Sequence, residues 1–242
     1  MGSYVKNQKR ILLRPLSIIA SKNKNSGCRS MRHRLKQIFL KLYSAFGAQY
    51  WWPADSSFEV IIGAILTQNT NWGNVEKAIL CLKENKCLSP QRLLKLSPHK
   101  LAGLIKSAGY YNLKAARLKS FLKFFFKFYS ADIKRMSTQD PVTLRRQLLA
   151  VKGIGPETAD SILLYALNKP IFVVDAYTRR ILCRHRILAE DATYEQVQEV
   201  FMHNLKHEAG LFNEYHALLV RLGKDYCRKH NPKCGICPIH GQ

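Results

Sequence analysis

Residues 148–180, LLAVKGIGPETADSILLYALNKPIFVVDAYTRR, carry the strongest structural signal in the chain. Two segments with helical apolar spacing meet at a Gly-Ile-Gly turn, and a proline opens the second segment, where its missing N–H is harmless. The glycines allow a sharp turn whose N–H groups can approach a phosphate, and the next helix directs its positive end there. We expect the isoleucine to be buried. The hairpin predicted to bind a phosphate backbone comprises Lys152, Gly153, Ile154, Gly155 and Thr158.

The rest of the chain from Met31 onward also has helical apolar spacing. Residues 33–46 place apolar side chains three and four positions apart, and Ser89-Pro90 and Ser97-Pro98 are typical helix starts. Residues 156–167 are expected to form one helix. Only Ile171–Val174 is strand-like, and four residues cannot build a sheet. The sequence therefore predicts an all-α protein.

Charge indicates the partner. The 242 residues include 39 Lys and Arg against 16 Asp and Glu, a net charge of +23. Such an excess of positive charge opposes compaction and favours a polyanion, nucleic acid above all. No apolar run approaches the roughly 20 residues that cross a bilayer, so no membrane association is expected. Residues 85–131 hold ten Lys and Arg and no acidic residue, which predicts a phosphate-facing surface.

The first 30 residues are basic, with seven Lys and Arg and no acidic side chain. We expect a disordered basic extension over residues 1–30, or translation that truly starts at Met31; a targeting segment is the third interpretation. The remaining 32 basic and 16 acidic residues still leave +16. The cysteines are too scattered for a secreted disulfide scaffold, which favours a reducing compartment. We expect a cytoplasmic, nucleoid-associated bacterial protein.

The hairpin, with Val174-Asp175 following it, resembles the helix–hairpin–helix of the endonuclease III superfamily of DNA glycosylases. Asp175 lies twenty residues after Gly155, as the family aspartate does after its hairpin. The resemblance covers about residues 31–242 and implies two all-α lobes with a central DNA cleft. One lobe would be residues 50–169, ending in the hairpin, and the other residues 31–49 plus 170–242. The implied partner is double-stranded DNA with a damaged base, bound by a monomer.

Asp175 is the candidate catalytic residue. Cleavage of an N-glycosidic bond builds positive charge on the sugar, which a nearby carboxylate can stabilise. The residue also precedes a helix that begins at Ala176, so its alternative role is to cap that helix. The two roles are compatible.

Glu157 departs from the family pattern. By resemblance, members that also nick the abasic strand carry a Schiff-base lysine two residues past the second hairpin glycine, where this chain has Glu157. A carboxylate cannot form an imine. Lys152 could substitute, although a phosphate contact is its expected role. The sequence therefore favours a monofunctional glycosylase.

Trp51, Trp52 and Trp72 are the candidate base pocket. They are the only tryptophans of the chain and flank one apolar helical segment, where either core packing or a pocket wall would explain them. Indole faces attract cations, and N-alkylated purines carry positive charge. The pattern WWP…LTQNT…W resembles the bacterial 3-methyladenine branch of the superfamily. By the same resemblance Gln68 and Asn69 would fill the gap left by a flipped base, or else cap a helix end.

Cys227, Cys234 and Cys237 match the first three ligands of the family's iron–sulfur loop. The sequence stops one residue short of the fourth position, and a clipped gene end would explain this. The resemblance implies a [4Fe-4S] cluster, whereas ligand type and spacing alone also allow a zinc site with His240.

The leading hypothesis is therefore a monofunctional DNA N-glycosylase that excises alkylated purines. The alternatives are a bifunctional glycosylase and abasic-site lyase acting on oxidised pyrimidines, and a DNA-binding module without catalytic activity.

Overall fold

The computed structural model describes residues 26–242, with side chains described from Met31 onward. Every regular element in this range is helical, which confirms the all-α prediction. The strand-like residues 171–174 form no strand; three of them, Phe172, Val173 and Val174, are buried instead. The predicted basic extension falls mainly outside the described residues.

The described chain divides into two compact units. One combines the segment that ends at Pro53 with Pro170–Gln242, and the other is Ala54–Lys169. The α-helices in chain order are α1 (Ser26–Phe46), α2 (Ser57–Leu66), α3 (Trp72–Glu84), α4 (Pro90–Lys95), α5 (Pro98–Leu104), α6 (Tyr111–Tyr129), α7 (Ile133–Ser137), α8 (Pro141–Leu149), α9 (Pro156–Ser161), α10 (Ala176–Arg184), α11 (Tyr194–Asn204) and α12 (Ala209–Asp225). Short 3-10 turns cover Lys106–Ala108 and Cys234–Ile236, and Ile162–Ala166 is π-helical.

Helix α2 is the centre of the Ala54–Lys169 unit. It begins where the Ser56 side chain accepts the Glu59 N–H, and all residues from Phe58 to Leu66 are buried. The helix packs against α3, α6, α9 and the π-helical segment. An apolar helix without a polar face requires such complete enclosure, because any exposed side would leave hydrophobic surface in water.

Residues 156–167 do not form the single predicted helix. Helix α9 ends at Ser161, and the turn then widens, so that the Leu167 N–H bonds to the Ile162 carbonyl at 3.2 Å, five residues back. All five residues of the π-helical segment are buried. Apolar periodicity could not detect the change, since a run buried on every side has no periodic face.

The first unit has an aromatic core. Helix α1 packs against α11 and α12, and the Tyr215 hydroxyl of α12 donates to the Leu35 carbonyl of α1 at 2.9 Å. The Phe172 and Phe201 rings stack at 3.7 Å between centroids. Helices α10 and α12 pack against each other at Gly223. Because glycine has no side chain, the Tyr177 ring of α10 lies in the space beside it: a Cβ on residue 223 would lie 2.4 Å from Tyr177 Cδ1.

The acid-free segment 85–131 does not direct all of its cations to solvent. Lys119 Nζ donates to three carbonyls at the end of α4, those of Leu93, Leu94 and Leu96. Lys114 also points inward from α6 and is buried, Arg117 is half-buried, and seven of the ten cations are exposed. The prediction of a phosphate-facing surface is therefore wrong for Lys114 and Lys119. A cation near the C-terminal end of a helix stabilises carbonyls that have no intrahelical partner.

Candidate DNA-binding and catalytic residues

The hairpin occupies residues 150–155, between α8 and α9. Gly153 has φ +91°, a left-handed conformation that favours glycine, and Gly155 is extended at the start of α9. Ile154 is 4 % exposed, as expected for a residue that anchors the turn, and its N–H bonds to the Val151 carbonyl. Lys152 is exposed. The N–H groups of both glycines have no hydrogen-bond acceptor within the described part of the chain.

Gln68 lies against this hairpin. Its side-chain Nε2 donates to the Gly153 carbonyl at 3.0 Å and to the Thr158 hydroxyl at 2.8 Å. Thr158 is buried and Asn69 is exposed with φ +53°. The structure thus joins Gln68 to two of the predicted hairpin residues, while the gap-filling role of Gln68 and Asn69 stays a prediction.

Lys114 is a buried residue that the sequence did not single out. Its side chain is 1 % exposed, and Nζ donates to the carbonyls of Leu66 at 2.8 Å and Ala108 at 2.6 Å. Burial lowers the pKa of its ammonium group. The residue thereby joins the end of α2, just before Gln68, to the segment that leads into α6. No local pattern marks an inward lysine, because lysine is usually solvated.

Asp175 lies at the start of α10 and caps it. Its Oδ1 accepts the Thr178 N–H at 2.7 Å, which confirms the capping geometry. Its Oδ2 lies 3.6 Å from Nε2 of His216, a residue of α12 that sequence reasoning missed. Burial lowers the pKa of His216, although the charge of Asp175 works in the opposite direction, and the side chain of Asp175 is only 12 % exposed. The Thr178 N–H holds one carboxylate oxygen and the other lies beside His216, an orientation that suits a group that must meet a developing positive charge.

Trp51 and Trp52 lie in the first unit and contact each other. Their rings meet edge to face with centroids 5.8 Å apart, Trp52 is 6 % exposed and Trp51 is half-buried. The Lys224 ammonium of α12 lies 5.7 Å from the centre of the Trp51 ring. Trp72 belongs to the Ala54–Lys169 unit, where it is the first residue of α3 and half-buried.

Helix α12 also holds the backbone that leads to these tryptophans. Glu214 is fully buried and its Oε1 accepts the Gln49 N–H at 2.8 Å, two residues before Trp51. Its Oε2 is buried without a hydrogen-bond partner among the described residues. Arg221 Nη1 donates to the Phe46 carbonyl at 3.1 Å. Burial of Glu214 raises its pKa to about 7, although the Gln49 hydrogen bond works in the opposite direction.

The raised pKa of Glu214 predicts a pH-dependent stability. Folding stabilises the protonated form, so stability is greatest below the unfolded pKa of 4.5 and falls as the pH rises towards about 7. The loss should be about 3 kcal/mol in the free energy of unfolding, by the usual conversion of pKa difference to energy. Denaturant unfolding at pH 4 and pH 8, which lie outside the range from 4.5 to about 7, should show that Glu214→Gln removes this part of the wild-type difference. An unchanged pH dependence in the variant would contradict the assignment.

The cysteines do not form a cluster site as they stand. Cys227, Cys234 and Cys237 line one cavity with His240, but Arg184 Nη1 contacts the Cys227 sulfur at 3.4 Å and Cys234 is exposed. No three His, Cys, Asp or Glu side chains in the described range come close enough to hold one metal ion. A [4Fe-4S] cluster takes four cysteine ligands, and this loop contains three. The cysteines of the described residues thus do not by themselves form the expected cluster site, and no step below depends on it.

None of the helices within residues 26–242 is long and apolar enough to cross a membrane.

An all-α chain whose glycine hairpin precedes a helix-capping aspartate by twenty residues has the features of a DNA repair glycosylase. The model of the HhH-GPD superfamily of base excision DNA repair proteins matches residues 62–207. The chain belongs to this superfamily, which confirms the resemblance to endonuclease III and its relatives.

Proteins similar in sequence or structure have names that fit this family. A protein of Methanocaldococcus jannaschii with a provisional name as a DNA repair glycosylase is 46% identical over 204 residues, 84% of this chain and 92% of its own. The structure of Helicobacter pylori 3-methyladenine DNA glycosylase bound to 1,N6-ethenoadenine matches with a TM-score of 0.67 and 28% identity, over 81% of this chain and 97% of that one. A trapped endonuclease III–DNA covalent intermediate shares the fold, with a TM-score of 0.74 and 21% identity over 86% and 92% of the two chains.

Proposed function

We propose that the protein is a monofunctional DNA N-glycosylase that removes alkylated purines from double-stranded DNA and acts as a monomer. The observation that carries the proposal is the geometry of Asp175, a carboxylate fixed by the Thr178 N–H on one side and lying beside His216 on the other. Such a group stabilises an oxocarbenium-like sugar without itself moving. The likeness to a 3-methyladenine glycosylase supports the choice of lesion.

The hairpin has the complementary task of holding the DNA backbone. Glycine N–H groups and the start of α9 offer donors to a phosphate. The seven exposed cations of residues 85–131 add attraction that does not depend on sequence. Alkylated purines are weakly bonded to their sugars, so binding, base flipping and one carboxylate suffice for release: the base leaves with the electrons of the glycosidic bond, and water adds to C1′ of the sugar cation and loses a proton.

The decisive experiment measures base release from a panel of duplexes. Each duplex carries one lesion: 3-methyladenine, 7-methylguanine, ethenoadenine, an oxidised pyrimidine, or none. The proposal expects release of alkylated purines and no strand cleavage. Release of oxidised pyrimidines alone would favour the bifunctional alternative, and binding without any release would leave a DNA-binding module.

Glu157 gives a second, independent test. It is exposed at the second position of α9, where the lyase-active relatives carry their lysine according to the family resemblance. We expect borohydride to trap no covalent protein–DNA complex on lesion or abasic duplexes, because no imine forms. A chain with Glu157→Lys serves as the comparison, since it restores an amine at the same position. Efficient trapping of the wild type, lost in Lys152→Gln, would show that Lys152 performs lyase chemistry.

A further inference from the structure

Arg117 reaches from α6 to the hairpin, although the two are far apart in sequence. Its side-chain stem covers the Cα of Gly153, so that a Cβ there would lie 2.4 Å from Arg117 Cγ and 3.0 Å from Cδ. Its guanidinium Nη1 donates to Oε1 of Gln68. Gly153 is thus required for two separate reasons, its positive φ and the room that Arg117 needs.

Gln68 is the link between Arg117 and the hairpin. Its oxygen accepts from Arg117, and its nitrogen donates one proton to the Gly153 carbonyl and one to the Thr158 hydroxyl. An arginine has no acceptor, so it fixes which end of the amide faces it, and the two N–H donors must then face the hairpin. This one amide has partners at its oxygen and at both hydrogens.

The Gly153–Ile154 peptide is consequently held at both of its polar atoms. Its carbonyl accepts from Gln68 at 3.0 Å, and its N–H donates to the Val151 carbonyl at 3.0 Å. The peptides on either side carry the N–H groups of Gly153 and Gly155, which are the expected phosphate donors. With the middle peptide fixed, those two donors keep one orientation relative to each other.

We propose that Arg117 and Gln68 act as positioning residues that hold the hairpin in its phosphate-binding conformation. The inference rests on the proposed function in one respect, that the hairpin binds duplex DNA. It gives Gln68 a task distinct from gap filling, and it gives Arg117 a task distinct from direct contact with a phosphate.

Direct phosphate contact, hairpin positioning and gap filling have different signatures in measurements of DNA binding and base release. A lost cationic phosphate contact reduces the slope of log Kd against log salt by about one. A misaligned hairpin loses neutral N–H contacts, so affinity falls while the slope stays. A lost gap-filling side chain slows base release from bound lesion DNA and leaves binding of undamaged duplex unchanged.

The experiment measures undamaged-duplex binding at several salt concentrations for Arg117→Met, Gln68→Ala and the double variant. We expect each single variant to bind about tenfold more weakly with an unchanged salt slope, and the double variant to bind no more weakly than the weaker single variant. Lys152→Met removes the exposed lysine of the hairpin, whose expected role is a phosphate contact, and the slope change it produces calibrates direct contact. The melting temperature of each variant is measured as a control for folding. If Arg117→Met fails to fold, the binding of Gln68→Ala alone still tests the inference.

Three results would overturn the inference: wild-type affinity in both single variants, additive losses in the double variant, or a salt slope reduced by about one in Arg117→Met, as expected for Lys152→Met. Slow base release with intact duplex binding in Gln68→Ala would contradict the positioning role and assign Gln68 to the gap left by the flipped base. If the wild type itself binds no duplex, the proposed function fails, and that result is separate from all of these.

Discussion

Asp175→Asn should lower the single-turnover rate of base release by two or more orders of magnitude. The amide is neutral and cannot stabilise positive charge on the sugar, and removal of such an electrostatic group commonly costs a factor of about 100 to 1,000. Binding of lesion duplex should change by only a few-fold, since the carboxylate acts mainly on charge that develops during cleavage. The measurement is base release at saturating enzyme, together with duplex affinity.

Asn is the informative replacement because it keeps the helix cap. Its side-chain oxygen can still accept the Thr178 N–H that Asp175 accepts now, so α10 should retain its stability. Asp175→Ala provides the contrast, with a loss of about 1 kcal/mol in the free energy of unfolding added to the catalytic defect. Near-wild-type turnover in the Asn variant would leave Asp175 with its capping role alone.

Trp52→Ala and Trp72→Ala should each reduce release of 3-methyladenine by about tenfold or more, through the loss of about 1–2 kcal/mol of stacking and cation–π energy. Trp51 is left out of this prediction because the Lys224 ammonium already lies over its ring. A second cation on that ring would be repelled. Trp→Phe should cost less at either position, since an aromatic face remains.

Core packing predicts a different result for the same variants. Trp52 is buried, so its truncation also removes packing and lowers the melting temperature. The discriminating comparison is a neutral lesion measured beside a cationic one. Equal losses for both lesions, in proportion to the loss of stability, would assign the tryptophans to the core and leave the lesion class undecided.

The hairpin and its aspartate could be predicted because their signals are local. Gly153 and Gly155 with a following proline specify a turn before a helix, and Asp175 before Ala176 specifies a cap, whatever surrounds them. The all-α class likewise follows from apolar spacing within single segments.

The supporting side chains could not be predicted, because their roles depend on distant contacts. Arg117 and Lys114 read as surface cations within a basic segment, yet Arg117 covers the hairpin and Lys114 joins the end of α2 to the 3-10 turn before α6. Glu214 and His216 read as ordinary polar positions of an amphipathic helix, and only the fold buries them beside Gln49 and Asp175. Partners separated by dozens of residues leave no mark in local composition.

Gly223 influences the position of Asp175, the candidate catalytic residue. The Tyr177 ring fills the space where a side chain would begin, and Tyr177 follows Asp175 by two residues on α10. Any larger residue at 223 must push that ring, and with it the first turn that presents the carboxylate. In a genetic screen for alleles deficient in DNA repair, substitutions of Gly223 would therefore resemble substitutions of Asp175 itself, even though glycine has no side-chain functional group.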